Sequence, residues 1–233
     1  MSLRYILEIS VETVNAALAA DRGNADRIEL CSNTKEGGTT PPPELLRSAR
    51  EYVHLPIFAM VRPRPGNFLY SGAEFSAMQR DIELAQKFQM DGIVLGLLNA
   101  NQKIDVVRTS QLVAHAAPLP VTFHRAFDEC ADLSASLEDV IETGATRLLT
   151  SGGKRTASEA LEILAKLVRS AADRIVVMPG SGLHAENIRE VVQQTAACEY
   201  HAGLSSVIAH PSENLNEYQQ EITKMAAALH GGS

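Results

Sequence analysis

The chain has 233 residues, with 21 Lys and Arg against 28 Asp and Glu and a formal charge of −7. That length lets one domain bury roughly 70% of the surface its unfolded form exposes without staples, and the negative charge gives no global attraction to nucleic acid or an anionic membrane. Three cysteines, Cys31, Cys130 and Cys198, lie far apart with no C-x-x-C pair, which suits a reducing compartment and places the protein in the cytoplasm. The first apolar run is short and broken by Glu8, so neither a signal-peptide core nor a membrane span is expected.

In chain order, short apolar strands alternate with amphipathic helices. Tyr5 to Ile9 reads as strand, Val11 to Asp21 as helix with Val14, Ala17 and Leu18 on one face, and Asp26 to Cys31 as strand. After a Gly- and Pro-rich loop from Thr34 to Pro43 come a helix Glu44 to Tyr52 and a strand Ile57 to Arg62. A second loop, Pro63 to Ala73, leads to the helix Glu74 to Phe88, with Phe75, Met78, Ile82 and Ala85 at helical spacing. The strand Gly92 to Leu95 and the helix Ile104 to Ala116 follow. Pro118 and Pro120 bar a helix before the strand that begins at Val121. Leu133 to Glu142, Thr146 to Thr150, Ala157 to Val168, Arg174 to Met178, Ala185 to Gln193, Cys198 to His201 and Glu213 to Leu229 complete the alternation.

A weak repeat supports the count, since Asn24–Ile28, Gln89–Ile93, Gly144–Leu148 and Ala171–Ile175 each start a strand with the same small-polar-apolar rhythm. Eight strand-helix units predict a single-domain (β/α)8 barrel over residues 1–233. The competing architecture, an open doubly wound sheet, would want a G-x-G-x-x-G turn after the first strand, which this sequence lacks.

The strand Val121-Thr122-Phe123 runs straight into His124-Arg125-Ala126-Phe127-Asp128, so its polar load arrives at the carboxyl end, where parallel α/β folds bind ligands. Strand parity extends the observation. If Leu7, Ile9, Ile28, Leu30, Ala59, Val61, Val121 and Phe123 face the helices, the barrel interior receives Glu8, Glu29, Cys31, Met60, Arg62, Thr122 and His124, with Glu199 and His201 on the last strand. One such glutamate could be a core ion pair. A cluster is costly to bury and is better explained by chemistry or ligand binding. Glu8, Glu29, Arg62 and His124 are therefore the candidate catalytic residues.

The loops after the sixth, seventh and eighth strands, Thr150-Ser151-Gly152-Gly153, Met178-Pro179-Gly180-Ser181-Gly182 and Gly203-Leu204-Ser205-Ser206, offer bare backbone and hydroxyls to an anion. Arg62, Arg64 and Arg125 suit such a ligand's oxygens, while Lys154 and Arg155 fall on the rim. Arg64, Arg125, Asp128, Ser151, Gly152, Gly180, Ser181, Gly182, Glu199 and His201 complete the expected ligand-binding set.

Leu7-Glu8-Ile9, Asp26-Arg27-Ile28-Glu29-Leu30-Cys31, Glu36-Gly37-Gly38-Thr39-Thr40-Pro41, Arg62-Pro63-Arg64, Phe68-Leu69-Tyr70-Ser71 and the Val121–Asp128 stretch resemble the CutC family, as do Leu149–Gly152 and Met178–Gly182. The resemblance spans almost the whole chain. It implies a cytoplasmic TIM barrel, often a homodimer, assigned to copper homeostasis and sometimes binding copper through cysteine, with no established enzymatic activity. Three positions depart from the family pattern: Ser10 stands where cysteine is common, Asn67 where aspartate is usual, and the segment after the eighth strand, 208–212, looks short.

Two functions follow. The first is a copper-binding homeostasis protein with Cys31 as the metal ligand and Met60 and His124 as further soft donors. The second is an enzyme for a small anionic metabolite, phosphorylated ones included, with Glu8, Glu29 or His124 as acid or base and Arg62 with Arg125 stabilising negative charge. A divalent-metal enzyme through Glu8, Glu29 and His124 is a minor third option.

Overall fold

The computed structural model describes residues 5–231, so the ends of the predicted domain, 1–4 and 232–233, lie outside the described residues. Eight strands alternate with eight helices. They are β1 (Ile6–Val11), α1 (Val14–Arg22), β2 (Arg27–Leu30), α2 (Pro43–Tyr52), β3 (Ile57–Met60), α3 (Gly72–Lys87), β4 (Gly92–Leu95) and α4 (Val106–Ala116). The second half comprises β5 (Val121–Phe123), α5 (Leu133–Glu142), β6 (Arg147–Thr150), α6 (Leu161–Ala171), β7 (Val176–Pro179), α7 (Ile188–Thr195), β8 (Glu199–Ala202) and α8 (Leu215–His230).

All ladders are parallel and run β7-β6-β5-β4-β3-β2-β1-β8, the order of a TIM barrel. The seam between β7 and β8 is closed by one bridge, Gly180 with His201. The last seam of the barrel thus meets beside one of the mouth's ionisable side chains.

Local chemistry sets the helix starts. Thr13 accepts the N–H of Ala16, Asp105 that of Arg108 and Asp132 those of Ser134 and Ala135, while Ser71 and Glu74 form a reciprocal capping box. Thr13 also explains why the predicted helix from Val11 starts later: β1 continues to Val11, and the chain turns only at the cap. The predicted helix Ala157–Val168 divides into a 3-10 turn, Ala157–Glu159, and α6, because Ala160 adopts φ −131 between them.

The strand parity read from the sequence holds. Leu7, Ile9, Ile28, Leu30, Ala59, Val61 and Val121 pack outward with Leu46, Met78, Ile82, Val191 and Ile222 of the helices, and Phe123 packs with Leu137 and Val140. The apolar layer therefore lies between sheet and helices, leaving the barrel interior free to carry charge. No helix among the described residues is long and apolar enough to cross a membrane.

Candidate functional site at the barrel mouth

The interior is built in two polar layers. In the lower one, near the amino ends of the strands, the Arg27 guanidinium bridges Glu8 Oε2 and Glu199 Oε2, and Arg147 Nε meets Glu199 at 2.9 Å. Both guanidiniums lie over the Phe58 ring, Arg27 at 4.7 Å and Arg147 at 5.2 Å from its centroid. Arg27 was not among the expected site residues, yet it shares the parity of Glu29 and Cys31, so period-2 reading carried the signal. Glu199 was expected at the mouth and instead belongs to this plug, since the first residue of a barrel strand lies at the opposite end from the ligand face.

In the upper layer, His201 from β8 joins two carboxylates. Its Nδ1 lies 2.8 Å from Glu8 Oε1, and its Nε2 is 3.8 Å from Glu29 Oε2, too far for a hydrogen bond. Glu29 Oε1 has no partner among the described residues. Burial alone would raise the Glu8 carboxyl, but Arg27 and His201 outweigh it and hold it at about 2. Glu29 has no such clamp. Burial raises it to about 7, with His201 and Arg27 offsetting only part and Glu8 adding to the rise. Burial would lower the His201 imidazole, yet Glu29 and Glu8 together raise it. At neutral pH Glu29 and His201 thus compete for a proton while Glu8 stays ionised and fixes the ring, the arrangement of an acid-base group with its orienting carboxylate.

Above this layer opens a cavity of about 380 Å³. Its walls include Glu29, His201, Cys31, His124, Arg125 and Arg155, and its rim includes Gly182 and Gly203 to Ser206. His124 stands at the end of β5, opposite β1 in the barrel, with its ring tilted against Phe68 at 4.9 Å. Burial lowers its pKa to about 3, helped by Arg62 and then Arg125, so the imidazole is neutral at physiological pH. A Cβ on Gly96 would lie 2.5 Å from His124 Nδ1, so that glycine leaves the space the ring occupies.

The arginines divide differently from the sequence expectation. Arg62 spends its guanidinium on the carbonyls of Glu36 (2.8 Å), Gly38 (2.7 Å) and Gly66 (2.9 Å), stacked 4.9 Å over Phe68. It ties two mouth loops together and stacks on the aromatic ring that backs His124, which gives it a positioning role, while its buried Nε has no partner among the described residues. Arg64 is likewise consumed within its own loop and by Glu74. Arg125 remains at the cavity, held by Asp128 at 2.8 Å and donating to Ser151 and Ser181. Its side chain is 41% exposed. Arg155, expected on the rim, is exposed there, pairs with Glu159 at 3.1 Å and reaches the cavity lining.

The loop after β6 also differs from the anion cradle expected. The N–H groups of Ser151 and Gly153 are taken by the Asp128 carboxylate, and that of Gly152 by the Thr150 hydroxyl. Neither Gly152 nor Asp128 lines the cavity; Asp128 supplies the anion this loop needs and aims Arg125. Gly180 packs behind the mouth, where a Cβ would meet Leu149 at 2.5 Å, whereas Ser181 and Gly182 do line it.

Copper, which the resemblance implies, finds a poor donor set. Cys31 is buried, and burial followed by Glu29 and Glu12 raises its thiol well above the usual value. Its Sγ lies 3.7 Å from the Val11 carbonyl, as a thiol donor would. Met60 sits beside it, and Ser10 offers a hydroxyl where a second thiol would be needed. Among the described residues, the one group of three His, Cys, Asp or Glu with ligand atoms close together is Glu8, Glu29 and His201, which contains no sulfur. His201 takes the place given to His124 in the divalent-metal option, and both Glu8 oxygens are already engaged, one by Arg27. The residues present do not form a Cu(I) site.

The comparisons with known proteins agree with the geometry of the fold. The CutC family model matches residues 5–206. The human copper homeostasis protein cutC homolog is 41% identical over 231 residues, covering 94% of this chain and 85% of that protein. The family protein CutC of Chromobacterium violaceum is 45% identical over 88% of this chain and 83% of its own. A crystal structure of CutC from Streptococcus agalactiae superposes with a TM-score of 0.81 at 33% identity, covering 85% of this chain and 98% of that one. Phosphoribosylanthranilate isomerase from Thermotoga maritima, at 14% identity and a TM-score of 0.65, shares the barrel fold alone. With its barrel fold and nearly its whole length matched, the chain belongs to the CutC family.

Proposed function

We propose that the chain serves copper homeostasis, the role for which its relatives are named, and that its barrel mouth contributes proton transfer on a small anionic metabolite. The observation that carries the second part is the Glu8–His201–Glu29 arrangement beneath an open cavity. One carboxylate orients the imidazole, and the other, unpaired at Oε1, holds a proton near neutral pH. Arg125, paired with Asp128, and Arg155, paired with Glu159, bring guanidinium donors to the same cavity. Direct copper storage is the weaker reading of this pocket, because Cys31 stands without a second thiol.

The three dispersed cysteines favour the cytoplasm as its compartment. Homodimerisation through the outer helices is the assembly we propose, as two-fold dimers are the commonest soluble oligomers. The decisive experiment is copper-tolerance complementation of a strain lacking its own CutC. Glu29→Gln and His201→Gln should abolish rescue. Rescue that follows Cys31→Ser and ignores Glu29→Gln would put metal ligation first and remove the acid-base reading.

A further inference from the structure

Resting on the anion-pocket reading above, we propose that the mouth takes a small carbonyl compound carrying an anionic group, and that His124 donates its Nε2–H to the carbonyl oxygen. The tautomer comes from the backbone. His124 Nδ1 accepts the Ala126 N–H at 3.2 Å, which leaves the ring proton on Nε2. That Nε2 is buried, lies on a residue lining the cavity and has no partner among the described residues. A buried donor without an acceptor is expensive, and a binding site retains one where a ligand supplies the missing atom.

The surroundings select the kind of oxygen. Phe68, Met60 and Leu149 give apolar wall to a cavity that also carries Ser and Thr hydroxyls, and Arg62, the nearby cation, lies outside the lining with its two terminal nitrogens given to three loop carbonyls. A hydroxyl would bring a proton of its own, whereas a carbonyl oxygen only accepts. Neutrality matters too: held by burial and two arginines in its uncharged form, the imidazole polarises the oxygen without transferring a proton to it. Glu29 and His201, on strands flanking the one opposite β5, face the same cavity from the far wall. The anionic group then falls to Arg125, partly exposed and held by Asp128, and to Arg155, which is exposed at the rim and paired with Glu159, since these two arginines line the cavity.

Calorimetric titration with paired probes tests this. Dihydroxyacetone phosphate and glycerol 3-phosphate differ only by carbonyl against alcohol, as do pyruvate and lactate. In at least one pair the wild type should bind the carbonyl member up to about tenfold tighter, the scale of one hydrogen bond. His124→Leu should erase that preference, and His124→Gln, which keeps an N–H, should retain much of it. Equal binding within both pairs, or a preference that survives His124→Leu, overturns the proposal. Should the members bind alike and weaken together in Arg125→Gln, the anion pocket stands and the carbonyl assignment falls. If no probe binds, both fall.

Discussion

Replacing Arg62 with alanine should destabilise the fold, although the sequence alone makes it a candidate catalytic residue. The structure gives the magnitude. Its guanidinium donates to the carbonyls of Glu36, Gly38 and Gly66 and stacks over Phe68. A hydrogen bond from a charged donor contributes about 1.5–3 kcal/mol, and a partly desolvated cation-aromatic contact about 0.5–2 kcal/mol. Glu36 and Gly66 are exposed and would rehydrate, leaving the buried Gly38 carbonyl as the principal loss. The net expectation is a loss of about 2–4 kcal/mol, within the range of broken buried networks. Urea unfolding at neutral pH measures it, and limited proteolysis should show the loops around residues 36 and 66 opening first. Arg62→Lys should not rescue, because one ammonium cannot reach three carbonyls with a planar fork's geometry. A loss below about 1 kcal/mol, the level of an ordinary surface change, would refute the strut and return Arg62 to the list of candidate reacting groups.

Glu29 carries a pH signature. Its folded pKa is raised from 4.5 to about 7, so the folded state binds that proton more tightly and stability falls as pH rises between those values. Glu29→Gln should flatten that part of the stability profile, and an unchanged slope would mean the carboxyl is ionised throughout. Glu8, held at about 2, has the opposite sign, so the stability it supplies near neutrality should be lost as pH falls from 4.5 towards 2. Ser10→Cys would place a second thiol beside Cys31, and competition against a Cu(I) chelator under reducing conditions should then show tighter binding than wild type; no gain would mean the pair cannot close on a metal. Gly96→Ala puts a methyl 2.5 Å from His124 Nδ1 and should cost about 1–3 kcal/mol through overpacking while weakening ligand binding at the mouth. Wild-type stability and binding in that variant would show that the ring has room to move. Light scattering at micromolar concentration should give twice the mass of one chain, and a monomer would remove the proposed dimer.

The alternation of short apolar runs with amphipathic stretches, read with the period of 2 for strands, was enough to determine the barrel and the face on which Glu8, Glu29, His124 and His201 lie. Periodicity is a local property, and each strand's parity is written in its own few residues. It could have placed Arg27 as well. What parity cannot supply is height along the barrel or the choice of partner. Glu199 and His201 are two residues apart on one strand, yet one sits in the lower ion-pair plug and the other beneath the ligand cavity. Arg62 and Arg125 are equally cationic in the sequence, but loops closing over the mouth absorb the first and leave the second at the cavity. Contacts between Arg62 and Gly38, or Glu8 and His201, join segments separated by 24 and 193 residues. Only the closed barrel brings them together, and the same closure buries Glu29 and His124 deeply enough to shift their protons in opposite directions.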